Sequence, residues 1–260
     1  MKLHQSAQTT RFSLSGALSL AALLAGSSVA YAEPTPKSNY HEPTRGFLIE
    51  HANVAGNGNA SIDLHTGSDG IDAGGGVRLG LSGAELVLNS GLRDYDVNEA
   101  LLKWAMPDLR GGEQSKTPIH WSLVGGIAHL DLEDDNGNTT LEQTNIKLGV
   151  AATINADAAT FTLAPRVVIA DSDLNDGGKQ DDTFVEVDLG AYVGVIDTQS
   201  GLFSLGAEAL FTTEDNRDDS FALGARWLYN KRLSIDVVPL VFSDGDQLGL
   251  PGLVRVNARF

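Results

Sequence analysis

Apolar residues alternate with polar or small residues from about residue 60 to the last residue, Phe260. A period of two is typical of a β-strand that has one apolar face. Twelve segments show this period, at 60–64, 77–81, 84–88, 100–106, 119–127, 146–150, 161–169, 185–195, 203–211, 221–229, 233–241 and 254–260. We therefore predict an all-β chain with about twelve strands.

The connections between these strands alternate in length. Short connections are predicted at 82–83, 155–158, 197–201 and 230–231, whereas longer, polar connections fall at 91–97, 133–139, 171–182, 214–219 and 244–251. Residues 107–118 form one long connection on the side that otherwise has short turns. Short turns at one end and long loops at the other are typical of a transmembrane barrel with an even number of strands.

The last strand carries a further signature. Val254, Val256, Ala258 and Phe260 share one face, and the chain ends at the aromatic Phe260. With the alternation before it, residues 58–260 resemble bacterial outer-membrane β-barrels of the porin-like class. The resemblance implies a single antiparallel transmembrane β-barrel, Phe260 as the assembly signal, and insertion into outer-membrane lipid and lipopolysaccharide by the assembly machinery.

Strand length and aromatic residues favour a barrel in lipid over a soluble β-sandwich, which would also have one apolar face. Several predicted strands reach about ten residues, the length of a tilted bilayer crossing. Aromatic residues cluster at the strand ends, as expected at the two headgroup levels. At the short-turn end these are Trp104, Trp121, Phe161, Phe203, Trp227, Tyr229 and Phe260, and at the other end Tyr95, Phe184, Phe211 and Phe221.

The N-terminal part of the chain is predicted to have a different role. Residues 1–32 have a positive front, an apolar core and an Ala-Tyr-Ala cleavage site, so we predict an exported chain with a signal peptide. Residues 33–45 contain three prolines and no periodicity, which predicts a disordered linker. Residues 46–260 are predicted to form the barrel domain, with 46–56 either an extension of the first strand or a segment packed in the lumen.

Charge and composition exclude several classes of function. The net charge is −16 and the pI is about 4.6, so a basic surface for nucleic acid is not expected. The chain has no cysteine, which excludes disulfides and thiol chemistry. We also predict that the protein is not an enzyme, because the pattern places no serine and no acid beside His129, which lies near the outer rim on the apolar face.

The face opposite the apolar one should line the lumen. Eight of its positions are glycine, among them Gly190 and Gly206, which would leave room in the interior. Opposed charges in a pore orient polar solutes, but the same charges can also brace a closed interior. Seven acidic and seven basic residues are predicted to line it: Asp63, Glu85, Glu99, Glu186, Asp188, Glu208, Asp236, Arg78, Lys103, Lys147, Arg166, Arg226, Arg255 and Arg259.

The long loops hold most of the remaining acidic residues. Asp171, Asp173, Asn175 and Asp182 have spacing that partly resembles a calcium loop, although Asp176 replaces the expected glycine. Because the spacing departs from that of a calcium loop, we expect that the protein has no cofactor. Binding of Ca²⁺ at these four residues is the alternative.

The sequence favours a passive channel for small polar or ionic solutes. A closed structural or adhesion barrel that acts through its acidic loops is the second interpretation. A soluble secreted β-sandwich is the third.

Overall fold

The computed structural model is all-β. It describes residues 45–67, 73–91, 96–109, 119–133, 139–156, 159–174, 178–198, 201–214, 219–229, 232–243, 246–248 and 252–260. The predicted signal peptide and all but the last residue of the predicted linker lie outside these ranges. No helix within them is long and apolar enough to cross a membrane. The strands are β1 (Ala60–Gly67), β2 (Gly74–Leu81), β3 (Ala84–Ser90), β4 (Asp96–Ala105), β5 (Ile119–Glu133), β6 (Thr139–Ala156), β7 (Ala159–Leu174), β8 (Lys179–Thr198), β9 (Gly201–Thr212), β10 (Ser220–Tyr229), β11 (Leu233–Ser243), β12 (Asp246–Leu248) and β13 (Leu253–Arg259).

Twelve of these strands form one closed antiparallel ring. Each strand from β1 to β11 pairs with its neighbour in sequence, β11 pairs with β13, and β13 pairs with β1. The short β12 pairs only with β11 and lies outside the ring order. The predicted twelve-stranded barrel is therefore confirmed, and the two packed sheets of a β-sandwich are not formed.

The two ends of the ring meet through backbone hydrogen bonds. Phe260 N–H donates to the carbonyl of Ala60 (2.8 Å), and Ala60 N–H donates to the carbonyl of Phe260 (3.3 Å). The Phe260 side chain is 70% exposed on the outside of the barrel. The last residue of the chain thus completes the seam between β1 and β13.

The outward face of the ring is apolar over a limited height. Leu123, Ile127, Leu148 and Ile169 are all exposed there. Across β5, β6 and β7, three successive outward rows read Ile127–Ile146–Ile169, His129–Thr144–Asp171 and Asp131–Glu142–Asp173. The outer surface therefore changes from aliphatic to polar within one row of residues.

Strands β5 to β8 are longer than the others and run beyond this boundary. They contain 15, 18, 16 and 20 residues, whereas the remaining strands of the ring contain 7 to 12. The extra length lies on the side of the long connections and carries the polar rows. One wall of the barrel is thus taller than the rest.

Two positions differ from the predicted faces. Phe184 was predicted in the outer aromatic group, but it shares the inward face of β8 with Glu186 and packs on Val168 and Ala170. Val241 was predicted to face outward and is buried, because the register of β11 shifts between its pairs with Leu223 and Ala225. The shift falls at Pro239, which cannot donate a ladder hydrogen bond.

Residues 45–56, which we call the inner segment, lie inside the ring. Phe47, Ile49, His51 and Ala52 are almost completely buried. Arg45 and Glu50 form an isolated bridge, and Gly46 N–H donates to the carbonyl of Ile49 (2.8 Å), so 46–49 is the tip of a tight hairpin. The inner segment joins β1 at residues 56–59, where Gly58 has a φ of 76° that favours glycine.

Candidate functional site

The barrel interior brings together most of the residues predicted to line it. Ten of the fourteen are buried, and the other four, Glu99, Lys147, Arg166 and Arg259, are partly exposed. Alternation along each strand sends these side chains inward while the aliphatic residues point outward. The buried ten are Asp63, Arg78, Glu85, Lys103, Glu186, Asp188, Glu208, Arg226, Asp236 and Arg255.

One row of charges crosses three neighbouring strands. Arg226 on β10 lies opposite Asp236 on β11, and Asp236 lies opposite Arg255 on β13. The Arg226 guanidinium donates to both oxygens of Asp236, at 2.7 and 2.8 Å. This bidentate geometry is among the strongest forms of charge-assisted hydrogen bond.

Glu208 does not brace the wall with Arg226, as its place on the adjacent strand suggested. Its register partner on β10 is Ala222, whereas Arg226 lies opposite Ser204. The Glu208 carboxylate instead accepts hydrogen bonds from the backbone N–H groups of Phe47, Leu48 and Ile49, the last two at 2.6 and 3.2 Å. Three consecutive N–H groups that converge on one anion form a backbone nest.

The carbonyls of the same tip face two arginines of the wall. Arg226 donates to the carbonyls of Arg45 (2.9 Å) and Gly46 (3.1 Å). Arg255 donates to the carbonyl of Phe47. The wall therefore places the Glu208 carboxylate against the N–H groups of the tip. It places the guanidinium groups of Arg226 and Arg255 against the carbonyls of the tip.

A second group of charges holds the middle of the inner segment. The Arg78 guanidinium donates to both oxygens of Glu50 (2.5 and 2.8 Å) and to Glu85 (2.8 Å). Lys103 Nζ lies 3.2 Å from Glu50 and 3.3 Å from Glu85. Burial alone would favour neutral Glu50, but the charges of Arg78 and Lys103 hold the pKa of that carboxyl well below its usual range.

Backbone groups of the inner segment add to this attachment. Lys103 donates to the carbonyls of His51 (3.3 Å) and Asn53 (3.0 Å). Ala55 N–H donates to Glu85 (2.5 Å), and Ala52 N–H donates to the Thr153 hydroxyl (2.9 Å). The segment is thus attached to β3, β4 and β6 as well as to the strands that hold its tip.

Asp63 on β1 is surrounded by three guanidinium groups. Arg45 of the inner segment lies 3.2 Å from its carboxylate, Arg255 lies 3.7 Å away, and Arg78 lies 4.0 Å away. Asp63 therefore links the inner segment to both strands of the seam.

Other lumen charges pair without the inner segment. Lys147 donates to Glu99 (2.8 Å), and Arg166 forms ion pairs with Glu186 (2.5 Å) and Asp188 (3.0 Å). These pairs join β4 to β6 and β7 to β8. They brace the wall directly.

Glycines shape the interior around the inner segment. A Cβ atom at Gly46 would overlap the side chains of Glu208 and Tyr192. Gly190 lies against Ile49, and Gly206 lies against Phe47 and Tyr192. Phe47 and Tyr192 meet edge to face, with 5.3 Å between ring centroids. The tip fits only because both it and the wall are free of side chains at these points.

The residues predicted as a calcium loop do not converge. Asn175 lies outside the described ranges. Asp171 and Asp173 share the outer face of β7, whereas Asp182 lies opposite Ala170 on the inner face. Lys179 forms an ion pair with Asp173 at 3.0 Å. The described members of the set therefore point to two sides of the barrel wall.

His129 has partners that the sequence pattern did not place beside it. Its Nδ1 lies 3.1 Å from the Thr144 hydroxyl, and its Nε2 lies 3.4 Å from Asp131 and 3.7 Å from Glu142. His129, Asp131 and Glu142 are the one group in the described ranges whose ligand atoms are close enough to share a metal ion. The group faces outward in the two polar rows just beyond the aliphatic band.

Sequence reasoning missed four residues of this interior: Arg45, Glu50, Thr153 and Tyr192. The inner segment itself carried a signal, because Phe47, Ile49 and His51 alternate with other residues as in a strand. The pairing inside the lumen carried no signal, since the inner segment contributes mostly backbone groups and the side chains that hold it come from nine different strands.

Comparison with known proteins gives a match only at the level of structure. A solved structure described as "NanC porin structure in rhombohedral crystal form" is similar to this chain, with a TM-score of 0.44 and 11% sequence identity. The match covers 77% of this chain and 97% of that one. No protein-family model and no curated protein matches the sequence.

Proposed function

We propose that this protein is a bacterial outer-membrane β-barrel that acts as a passive channel for small polar or ionic solutes. The observation that carries the proposal is the polarity of the ring, which is aliphatic outside and charged inside. A soluble barrel of this size would bury its apolar face and expose its charges. The outward aliphatic residues need an apolar surrounding, which a bilayer provides.

The height of the apolar surface supports this location. On β5, β6 and β7 the outward apolar stretches at 119–127, 146–154 and 161–169 each run for about nine residues, close to the ~9–11 of a tilted strand crossing. At the short-turn end, Phe203 and Trp227 stack at 5.5 Å, and Trp227 meets Tyr229 at 5.3 Å. Such rings suit the headgroup level of a bilayer.

The outer surface of the barrel also supports two proposed partners, lipopolysaccharide and the outer-membrane assembly machinery. The polar rows at the other end would meet the lipopolysaccharide of the outer leaflet. The exposed Phe260 beside the seam suits recognition by the outer-membrane assembly machinery. We propose no esterase role for His129 and Thr144, which face each other in the regular ladder between β5 and β6.

A second candidate function is a closed barrel with a structural or adhesive role. It is favoured by the lumen charges themselves, since most are paired and buried when the inner segment is in place. A barrel braced in this way could present its acidic loops without passing any solute.

Insertion and conductance of the refolded mature chain test the proposal. The chain should float with liposomes and produce discrete current steps in a planar lipid bilayer, with a reversal potential in a salt gradient that reports ion preference. Insertion without current under any condition would favour the closed barrel. Failure to float would rule out a membrane protein.

A further inference from the structure

We propose that the lumen wall contains a binding site for a tight peptide turn, and that the inner segment occupies this site in cis and closes the channel. The inference rests on the proposed channel function. It adds a ligand, residues 45–56, and a mechanism of closure.

The chemistry of the wall matches a backbone turn. Glu208 accepts three consecutive N–H groups, while Arg226 and Arg255 donate to the carbonyls of residues 45–47. A buried carboxylate is normally held by a cation or by several hydrogen bonds. Glu208 has no ion pair with Arg226 or Arg255 within 4 Å, so the backbone of the tip supplies its main stabilisation.

The shape of the wall matches the same turn. Gly190 and Gly206 leave space for Ile49 and Phe47. Tyr192 is buried on the inward face of β8 and packs on Phe47. Phe47, Ile49 and Ala52 are almost completely buried in the lumen. Phe47 packs in one cluster with Tyr192, Val238 and Leu253 of the wall, and Ala52 packs in another with Ala151 and Ala164.

The surface left behind by the inner segment would carry many polar groups. Glu208, Arg226, Arg78, Lys103 and Thr153 all face the space that the segment fills, beside the apolar residues that contact Phe47 and Ala52. Water can hydrate these charged and polar groups once the segment has left. The ring is also closed by backbone pairing that does not involve the inner segment, so the wall can persist without it.

The link to β1 would allow the segment to leave the lumen without unfolding a strand. Residues 56–59 contain two glycines, and Gly58 has a positive φ. Residue 60 is the first residue of β1. Movement of the inner segment therefore requires changes in this short link and not in the ring.

The test uses the full mature chain with Gly46→Val. The added side chain overlaps Glu208 and Tyr192, so the tip cannot seat, while every wall residue is kept. We expect the fraction of time in the conducting state to rise at least about tenfold, the factor that follows from losing one hydrogen bond to a charged group such as the Glu208 carboxylate. Ala225→Val, which creates the same side chain on the outward face beside Arg226, should leave conductance at the wild-type level.

A thiol readout separates seating from conductance. The chain has no cysteine, so Ala52→Cys introduces a single thiol in the buried part of the inner segment. In the otherwise wild-type barrel this thiol should resist a membrane-impermeant maleimide. With Gly46→Val it should react, since the segment is displaced.

A disulfide gives the opposite perturbation. Ala52 forms one buried cluster with Ala151 of β6 and Ala164 of β7. Cysteine at Ala52 together with cysteine at Ala151, or at Ala164, should lock the segment when oxidised and abolish current until reduction restores it. The single-cysteine chains under the same oxidant are the matched controls and should behave like wild type.

The outcomes distinguish this inference from the channel proposal. Equal, frequent conductance of wild type, Gly46→Val and the oxidised double-cysteine chain would overturn the inference and leave the channel intact. Inserted barrels in which Gly46→Val exposes the thiol but no chain conducts would overturn both closure by the segment and the channel. Opening by Gly46→Val and silencing by the disulfide would establish both.

Discussion

Arginine in place of Leu123 should strongly destabilise the inserted barrel. Leu123 is the third of the five outward residues between Ile119 and Ile127, and it pairs with Trp104 and Val150 on the neighbouring strands. It is 45% exposed, so in a bilayer its side chain contacts lipid near the midplane. A lipid-facing arginine there costs about 2–4 kcal/mol, which is about a 30- to 800-fold shift in the folding equilibrium.

Position along the strand provides the control. Thr183 is also outward and exposed, but it lies in the last row before the polar rows, opposite Ile169. Arginine at that level should cost only about 0–1 kcal/mol because its guanidinium can reach the headgroups. The two substitutions add the same side chain to the same outer face and differ mainly in depth.

The assay is reversible denaturant unfolding in phospholipid vesicles, followed by tryptophan fluorescence and by the mobility of unheated samples on gels. At unchanged denaturant slope, Leu123→Arg should lower the free energy of unfolding by about 2–4 kcal/mol relative to wild type, and Thr183→Arg by no more than about 1 kcal/mol. Equal stability of the two variants would refute the assignment of this band to the bilayer core.

Three further predictions concern the interior, the seam and the loops. Arg166→Met should destabilise the barrel by about 3–5 kcal/mol, because it removes the guanidinium that pairs with the buried Glu186 and Asp188; adding Glu186→Gln and Asp188→Asn should recover much of this loss in the same unfolding assay, and no recovery would argue against the pairing. Deletion of Phe260 should reduce insertion in cells more than refolding in vitro, measured as the heat-modifiable fraction, since it removes the terminal aromatic and one closing backbone pair; equal yields in cells would remove its role as an assembly signal. Chelation of calcium should leave the thermal midpoint unchanged, because Asp182 lies on the opposite face from Asp171 and Asp173; a fall in the midpoint that calcium reverses would contradict this geometry.

The ring and its two faces follow from the sequence because a barrel in lipid applies one rule at nearly every position. Leu148 and Ile169 face outward and Arg78 and Lys103 face inward according to a period of two. The rule fails for Val241, because a register shift at Pro239 changes the parity of the strand. Phe184 shows a different source of error. Its aromatic side chain suggested a place among the aromatic residues at the outer headgroup level, whereas its position in the alternation of β8 correctly indicated the interior.

The partners inside the lumen could not be predicted in the same way. Glu208 and Arg226 are on adjacent strands, yet the register sets them four residues apart, and register depends on turns and bulges that alternation does not specify. The interaction that replaces this pair involves backbone N–H groups of residues 47–49. Backbone groups are the same in every sequence, so no residue pattern marks them.

The position of the inner segment at the seam has a consequence for biogenesis. Its tip needs Arg255 of β13, and its Arg45 needs Asp63 of β1, so its docking site is complete only when the first and last strands have met. Because β13 is synthesised last, a chain that stops short of it has no complete docking site. Complete docking of the inner segment therefore requires that β1 and β13 have already paired.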